Sequence, residues 1–254
     1  MAIQKHTAKL INKEIIGNNI LEISLKIDPI ESSEIFNYIP GQFISIHFNY
    51  NEKELKRSYS ISNSPNADNI IKFAISKVPE GAATEFLFNI PLNTKLTISG
   101  PAGRLVLPDV NSNNHPKRYV LIATGTGVTP YKAMLEQINE ISKTNNTKFL
   151  LLFGARNFSE SIYLEDFNNF SNFNSNFNIN MFFSRLSEKD IYDSNHYIGY
   201  VQNNFDKITP ELNPENDIVY LCGNPNMIDE TFEILKNKGF TARTVKREKY
   251  ISSK

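Results

Sequence analysis

The chain has 254 residues, of which 40% are apolar and 21% charged, which is typical of a globular protein with one large or two ordinary domains. Its 27 basic and 27 acidic residues cancel, so no global field favours nucleic acid or a membrane surface. The single cysteine, Cys222, excludes an intrachain disulfide framework, a cysteine-only zinc site and a four-cysteine iron–sulfur cluster. No apolar run is long enough for a signal peptide or a membrane span, so we expect a cytoplasmic protein.

Up to about residue 108 the sequence predicts a series of short strands. Apolar and polar residues alternate within the segments, and Gly, Pro and Asn separate them. Closely spaced strands of this kind favour an antiparallel β-barrel. One helix interrupts them at 83–89 and is stopped by Pro91. The predicted strands are 20–27, 43–48, 58–62, 70–76 and 95–99.

From about residue 117 the pattern changes to strands alternating with helices, which favours a parallel sheet with right-handed crossovers. Continuous apolar segments predict strands buried on both faces. The strands are predicted at 119–123, 149–153, 179–183 and 218–222, and the helices at 130–142, 159–167 and 227–236, the last with Asn224 as N-cap. The Phe- and Asn-rich segment 167–180 lacks Lys and Arg, so we interpret it as a helix end, a loop and a strand rather than a nucleic-acid platform.

The fold class predicted from these patterns is a two-domain β plus α/β chain. An antiparallel β-barrel is expected over 1–108 and a parallel α/β domain over 117–254. A short polar segment joins them and forms the predicted domain boundary.

The run Arg57-Ser58-Tyr59-Ser60 lies on a predicted strand and combines a guanidinium, a flat ring and two hydroxyls. Arg57 can neutralise phosphates with a planar fork of donors, and Tyr59 can lie flat on one face of a ring system. Ser60 can offer a hydroxyl near the reactive nitrogen of that ring. These are the groups that a flavin dinucleotide needs, although an ordinary strand with an exposed Arg and a half-buried Tyr explains them equally.

The run Gly81-Ala82-Ala83-Thr84 opens the helix predicted after the strand that ends near Ser76 and Lys77. Small residues at a helix N-terminus leave N–H groups free for a phosphate, and Thr84 adds a hydroxyl. A plain turn and cap is the alternative. The position of the Gly81–Thr84 run shortly after Arg57 favours the phosphate site. The candidate cofactor residues here are Ser76, Lys77, Gly81, Ala83 and Thr84.

A glycine turn, Thr124-Gly125-Thr126-Gly127-Val128-Thr129-Pro130, follows the first buried strand and opens a helix. Backbone N–H groups in such a turn can bind a pyrophosphate. The turn lacks the third glycine of the full dinucleotide fingerprint, but it has the strand before and the helix after that the fingerprint requires. We therefore predict a nicotinamide-dinucleotide site at Thr124, Gly125, Thr126, Gly127 and Thr129.

Three further segments follow strands in the second half. Ser184-Arg185 offers a hydroxyl and a guanidinium to a ribose phosphate, with a surface turn as the alternative. Tyr200 can stack on an adenine or simply pack at a loop end. Cys222-Gly223-Asn224 leaves room for a nicotinamide, although a core position is the usual fate of a free thiol. The 4 histidines show no ligand spacing, so no metal site is expected.

Taken together and in this order, these runs resemble the ferredoxin–NADP⁺ reductase family, and most closely its bacterial ferredoxin or flavodoxin reductases. The likeness covers essentially the whole chain. Arg57-Ser58-Tyr59-Ser60 is similar to the family's Arg-X-Tyr-Ser flavin motif, and Gly81-Ala82-Ala83-Thr84 is similar to its phosphate turn. The segment 125–130 is similar to its dinucleotide turn, Gly154-Ala155-Arg156-Asn157 to its Gly-X-Arg-Asn turn, and 222–228 to its last strand and helix.

The resemblance implies an FAD-binding barrel and an NADP(H)-binding α/β domain. It implies that Tyr59 stacks on the flavin with Ser60 near its N5, that Ser184 and Arg185 hold the 2′-phosphate, that Arg156 lies along the cofactor and that Tyr200 covers the adenine. The candidate catalytic residues on this basis are Ser60, Cys222, Glu248 and Tyr250, the last as a ring over the other flavin face.

Two departures from the family pattern stand near these residues. Ile198 and Gly199 precede Tyr200, where plant-type members often carry a Lys, and residues 251–254 extend beyond Tyr250.

The activity implied is hydride transfer between NADP(H) and FAD, with single electrons passing to or from ferredoxin or flavodoxin. The expected form is a monomer that binds neither nucleic acid nor a membrane. The nearest alternative is an NAD(P)H-dependent flavin reductase or an oxygenase reductase component on the same two-domain plan. A non-catalytic flavin-binding module is a more distant alternative, which the complete second domain disfavours.

Overall fold

The computed structural model describes residues 4–29, 35–191, 193–208 and 211–251. They divide into two units, each built on its own six-stranded sheet. One unit contains the chain up to Leu107 together with Thr129–Met134, and the other contains Pro108–Val128 and Leu135–Ile251. No helix in the described part of the chain is long and apolar enough to cross a membrane.

The sheet of the first unit is antiparallel in every pair, as predicted. Its strands are β1 Lys5–Gly17, β2 Ile20–Ile27, β3 Phe43–Tyr50, β4 Lys53–Ser60, β5 Ile70–Ser76 and β6 Lys95–Ala102. They lie in the order β4-β3-β6-β1-β2-β5, so β4 and β5 are the two edges. Just past β4, the backbone N–H of Ser62 donates to the carbonyl of Lys72 on β5 at 2.8 Å, which brings the two edges together at this point while β4 itself is not paired with β5.

Alternating apolar side chains of these strands fill the barrel, as the sequence periodicity requires. The helix α1 Ala82–Asn89 packs on it through Phe86, whose ring stacks on Phe48 of β3 at a centroid distance of 4.9 Å. The barrel and helix therefore share one apolar core. Fully buried members of that core are Ile23, Leu25, Ile44, Ile46 and Phe73.

The sheet of the second unit is parallel in every pair. Its strands are β7 Arg118–Thr124, β8 Lys148–Ala155, β9 Phe177–Phe183, β10 His196–Ile198, β11 Asp217–Gly223 and β12 Val245–Lys249. They lie in the order β10-β9-β8-β7-β11-β12. The chain runs outward from β7 to β10 and then returns to place β11 on the other side of β7. The strand order therefore reverses between β7 and β11, where ligands of open α/β sheets bind.

The later helices are α2 Thr129–Ala133, α3 Leu135–Asn145, α4 Leu164–Phe173, α5 Val201–Ile208 and α6 Pro225–Asn237. The side chain of Asn224 accepts from the backbone N–H groups of Asn226 and Met227, which confirms the predicted N-cap of α6. Residues 119–123 of β7 are fully buried, as expected for a strand covered on both faces.

Two predicted helices have different bounds in the structure. The single helix expected at 130–142 is interrupted at Met134, whose N–H bonds to the carbonyl of Tyr131, three residues back, instead of continuing the α-helical ladder. The helix expected at 159–167 begins only at Leu164, because Tyr163 adopts a left-handed conformation with φ +59°. Before it, Phe158–Glu160 forms a separate 3₁₀ turn. The Phe- and Asn-rich segment extends α4 to Phe173 before β9 begins.

Several elements were not predicted or were misplaced. The alternation of β1 is interrupted by register shifts at 10–12 and 15–17, which hide its period. The strand expected at 58–62 is β4, which begins five residues earlier in a charged, exposed segment. Three further elements were not predicted: β12 is similarly charged, β10 has only 3 residues, and α5 has a polar sequence. Edge position explains the two charged strands, because one side of each faces solvent.

We expect the Arg118–Asp217 ion pair to stabilise the second unit. The two Asp217 oxygens accept from the Arg118 guanidinium at 2.9 and 2.7 Å, and this carboxylate is buried. Asp217→Asn should lower the free energy of unfolding by about 3 kcal/mol in urea titrations, because the guanidinium loses its counter-ion. Glu233→Gln, which breaks the exposed pair with Lys236, should change it by less than about 0.5 kcal/mol. Equal losses in the two variants would contradict this expectation.

Candidate functional site

Arg57 and Tyr59 share the face of β4 that is directed to the barrel core, since Tyr59 lies opposite the fully buried Ile44. The Tyr59 ring stacks on Phe73 of β5 with centroids 5.0 Å apart. Burial raises the pKa of the Tyr59 hydroxyl, and the charge of Arg57 partly opposes this, so the phenol stays neutral. The Arg57 guanidinium donates to the carbonyl of Lys56 at 2.9 Å. β4 thus presents a fixed, uncharged ring beside a half-exposed cation.

Ser58 and Ser60 belong to the opposite face of β4. The Ser58 hydroxyl lies 2.9 Å from that of Ser45 on β3, so this side chain is engaged within the sheet, away from Tyr59. A cofactor contact of Ser58 would therefore involve its backbone. Ser60 ends the strand and is buried. Its predicted place near a flavin nitrogen stays a prediction.

The predicted phosphate turn is the N-terminal end of α1. Gly81 is its N-cap, and no side chain caps the first N–H groups. The Thr84 hydroxyl donates inside the turn, to the carbonyls of Val78 and Gly81 at 2.9 Å each. Because a Cβ on Gly81 would come within 2.9 Å of Thr84 Oγ1 and of Val78 Cβ, the turn has room only for glycine. The backbone N–H groups of Ala82 and Ala83, rather than the Thr84 hydroxyl, are the phosphate donors this geometry favours.

Ser76 and Lys77 stand at the end of β5, ahead of that turn. Ser76 pairs with Ile20 of β2 and is half-buried. The Lys77 backbone N–H donates to the carbonyl of Asn19 at 2.8 Å, and its ammonium lies 5.8 Å from the centre of the Phe88 ring. Cofactor contacts of both residues stay predictions.

The predicted dinucleotide turn lies at the carboxyl ends of β7 and β11, where the strand order reverses. A Cβ on Gly127 would lie 2.6 Å from the Cα of Gly223, so only glycine lets the turn approach β11 this closely. Gly223 has φ +120°, and a Cβ there would meet Thr124 Oγ1 at 2.7 Å. The Thr124 hydroxyl accepts from the N–H of Asn224 at 3.0 Å. The structure thus brings these predicted residues together through backbone contacts.

Gly125 and Thr126 form the outer part of the same turn. Gly125 is left-handed, with φ +55°, and no described atom lies within 4 Å of the position a Cβ would take. The hydroxyl of Thr129 is buried and has no hydrogen-bond partner within the described ranges. The open glycine backbone of this turn fits a phosphate-bearing dinucleotide.

Arg156, Ser184 and Arg185 follow the carboxyl ends of β8 and β9, which are neighbouring strands. The N–H of Ser184 donates to the carbonyl of Ala155 at 3.1 Å, and that of Arg185 to the carbonyl of Arg156 at 2.9 Å. The backbone hydrogen bonding between β8 and β9 therefore continues past the ends of both strands. It places two exposed arginines on neighbouring segments of the chain. Tyr200 follows β10 on the same edge and has 59% of its surface exposed. Cations, a hydroxyl and an exposed ring are groups that suit a 2′-phosphorylated adenosine.

Cys222 and Glu248 are paired residues of the parallel strands β11 and β12, and the Tyr250 N–H donates to the carbonyl of Gly223 at 2.8 Å. Burial raises the pKa of the Cys222 thiol well above its usual range, the Glu248 carboxylate raises it further, and a hydrogen bond with Tyr250 lowers it in part. Three of the predicted catalytic residues thus lie together at the end of β11. Of the extension beyond Tyr250, Ile251 is described, and residues 252–254 lie outside the described residues.

Some partners of the site were not found from the sequence. Phe73 supports the Tyr59 ring, but its sequence context is that of an ordinary buried strand residue. Glu160 lies 3.3 Å from Arg156, and only its spacing of four residues could have indicated this pair. Across the described ranges, no group of three His, Cys, Asp or Glu side chains is placed to hold a metal ion.

Two family models match the chain. The model described as an oxidoreductase FAD-binding domain matches residues 7–107, and that of an oxidoreductase NAD-binding domain matches residues 121–232. Together with the barrel and the parallel sheet, they define an oxidoreductase that uses a flavin and a nicotinamide dinucleotide. The chain belongs to the ferredoxin–NADP⁺ reductase family.

Individual relatives differ in name. The chain is 27% identical over 197 residues to one component of the Na⁺-translocating NADH-quinone reductase of Serratia proteamaculans, matching 72% of this chain but only 46% of that protein. It is 28% identical over 213 residues to a ferredoxin–NADP reductase of Azotobacter vinelandii, matching 78% of each. In fold it is similar to a Neisseria gonorrhoeae ferredoxin–NADP⁺ reductase crystallised with FAD and NADP, with a TM-score of 0.80, 19% identity and coverage of 96% and 98% of the two chains.

We expect the Cys222 thiol to be unreactive in the native protein. Its raised pKa keeps it protonated at pH 8, and its burial blocks access to reagents. Labelling with 5,5′-dithiobis(2-nitrobenzoate) at pH 8 should therefore release almost no thiolate from the folded chain. The same protein in urea should release one equivalent, which serves as the control because Cys222 is the only cysteine. Rapid stoichiometric labelling of the folded chain would contradict the assignment.

Proposed function

We propose that this protein is a ferredoxin- or flavodoxin-linked NADP(H) reductase. It transfers a hydride between NADP(H) and FAD and single electrons between the flavin and the small carrier. Among the observations that support this, the strongest is the adjacent pair Arg156 and Arg185 beside Ser184 at the carboxyl edge of the parallel sheet. A bare 2′-hydroxyl would need none of these cations, whereas a 2′-phosphate needs at least one.

The barrel residues suit the flavin half of the reaction. Bound FAD would accept a hydride and release single electrons, which is chemistry that protein side chains lack. Tyr59 would support one face of the flavin, held by Phe73 behind it. Arg57 would bind the pyrophosphate together with the N–H groups that begin α1 at Ala82 and Ala83. The Ser60 hydroxyl would lie near the reactive nitrogen.

The second unit suits the nicotinamide half. The open turn at Gly125 and Thr126 would bind the pyrophosphate, assisted by the hydroxyls of Thr124 and Thr129. Tyr200 would stack on the adenine. At the end of β11, the buried and neutral Cys222 thiol and Asn224 would border the nicotinamide, with Glu248 and Tyr250 beside them. Because Cys222 stays protonated, it would pack against the ring and not react with it.

The second candidate is an NADH-dependent reductase component of an oxygenase, or a reductase of free flavins. The observation that favours it is that Ile198 and Gly199 supply no cation before Tyr200. The name of the Serratia relative, part of an NADH-quinone reductase, points in the same direction. The chain spans less than half of that protein, so its electron acceptor does not transfer directly.

The electron partner we propose is ferredoxin or flavodoxin, on the strength of the Azotobacter relative, and the protein would act as a monomer. We also propose a cytoplasmic location, because a free buried thiol suits a reducing compartment.

A visible spectrum of the purified protein tests this function. The protein should be yellow, and anaerobic NADPH should bleach it rapidly whereas NADH bleaches it slowly. Reduced protein should then pass electrons to ferredoxin or flavodoxin. Equal bleaching by both nucleotides would favour the NADH-dependent alternative. A colourless protein that never binds FAD would overturn the proposal.

We expect Tyr59→Ala to weaken FAD binding by about tenfold or more, because one face of the flavin loses its stacking partner. Flavin content after gel filtration and fluorescence titration of the apoprotein with FAD would measure this. The matched variant Tyr59→Phe keeps the ring and should retain FAD. Normal flavin content in Tyr59→Ala would remove this residue from the flavin site.

We expect Arg185→Ala to raise the Michaelis constant for NADPH by about tenfold or more and that for NADH by less than about twofold, because a charge-assisted contact to the 2′-phosphate is lost. The control is Arg243→Ala, which removes an exposed guanidinium before β12, at the opposite edge of the sheet. Steady-state kinetics with both nucleotides measures the ratio. An equal rise for NADPH and NADH would place Arg185 outside the phosphate site.

A further inference from the structure

The two arginines at the carboxyl edge of the sheet are not equivalent. Nη1 of Arg156 lies 3.3 Å from Oε1 of Glu160, which forms an ion pair. For the side chain of Arg185, neither a hydrogen bond nor an ion pair is present within the described ranges. Among the residues that the structure describes, Arg156 thus has a counter-ion and Arg185 has none, and a phosphate that approaches both would meet two different cations.

Glu160 belongs to a tight turn next to Arg156. Phe158–Glu160 is a 3₁₀ helix, and the Glu160 N–H donates to the carbonyl of Asn157 at 3.2 Å. The Phe158 ring anchors this turn, 4.5 Å from the ring of Phe183 on β9. The Glu160 side chain is only 16% exposed, against 57% for Arg156. Glu160 is therefore the less exposed member of the pair, and its carboxylate lies beside Arg156 where an anion would approach.

We propose that Glu160 limits the preference of this protein for a 2′-phosphorylated nucleotide by neutralising Arg156. This inference rests on the proposed NADP(H) site at Arg156, Ser184 and Arg185. A guanidinium carries five N–H donors, so Arg156 retains donors for a phosphate while paired. The negative charge of Glu160 nevertheless repels a phosphate, and it has little effect on a neutral 2′-hydroxyl. Glu160 thereby acts as a specificity-determining residue through Arg156.

Two effects of Glu160 have opposite signs. Its carboxylate holds Arg156 in one orientation, which reduces the entropy lost when a phosphate binds. Its charge repels the same phosphate. Glutamine retains a side-chain oxygen that accepts from Arg156 and removes only the charge. The variant Glu160→Gln therefore isolates the repulsion, which we infer to be the larger effect because the Glu160 carboxylate is mostly buried beside Arg156 and Arg185 has no ion pair among the described residues.

Calorimetric titration of the full-length FAD-loaded protein with 2′,5′-ADP and with 5′-AMP tests this inference without turnover. Glu160→Gln should bind 2′,5′-ADP about threefold more tightly than the wild type, the size of effect typical of partly exposed charges. Its affinity for 5′-AMP should not change. The control Glu215→Gln removes an equal charge from the turn before β11, at the amino ends of the parallel strands. It should leave both affinities unchanged. Thermal unfolding checks that each variant is folded.

A second pair of variants tests whether the effect acts through Arg156. In an Arg156→Gln background, the further change Glu160→Gln should no longer tighten 2′,5′-ADP binding. Unchanged or weaker binding by Glu160→Gln alone, an equal change for both nucleotides, or an effect that persists without Arg156 would each overturn the inference while leaving the NADP(H) site intact. If the wild type binds 2′,5′-ADP no better than 5′-AMP, the NADP(H) site itself is wrong and the role of Glu160 is overturned with it.

Discussion

The second unit depends on the close backbone approach between the turn after β7 and the end of β11. Gly127 has no room for a Cβ against Gly223, and Gly223 has none against Thr124. Any side chain at either position would push apart two strands that are joined along their whole length. The same approach puts the turn, the Cys222 thiol and the N-cap of α6 at one point of the sheet edge. The constraint that packs the strands thus also assembles the candidate nicotinamide site.

Parallel pairing explains why so many candidate residues meet. In a parallel sheet, all carboxyl ends emerge at one edge, so short segments far apart in the chain become neighbours. Thr124 ends β7, and Arg156 and Arg185 follow the adjacent strands β8 and β9. The charge at this edge depends on pairing as well as on residue type, since Glu160 neutralises one of the two arginines. The sequence shows both arginines but not that one of them is paired with a carboxylate.

In the barrel, the main constraint near the candidate site is the orientation of side chains along β4. Alternation along β4 sends Arg57 and Tyr59 to one face and Ser58 to the other, where it bonds to Ser45. The motif is thereby divided between a core-directed face with Arg57 and Tyr59 and an opposite face with Ser58. The neutral Tyr59 ring, backed by Phe73, is the part of the motif that the fold has made rigid.

The sequence by itself determined that the first half is built of strands and the second half of strands followed by helices. Burial on one face of an element, or on both faces, leaves a clear apolar pattern in the sequence. The sequence also determined the glycine turn and the Asn224 cap, whose chemistry is local. Only the tertiary structure decided the bulged β1, the charged edge strand β12 and the late start of α4 at Leu164, since register shifts, solvent-facing edges and a left-handed Tyr163 carry no apolar period. The same holds for the partners Phe73 and Glu160 and for the direction of Ser58, because a side chain acquires its neighbours only when strands pair.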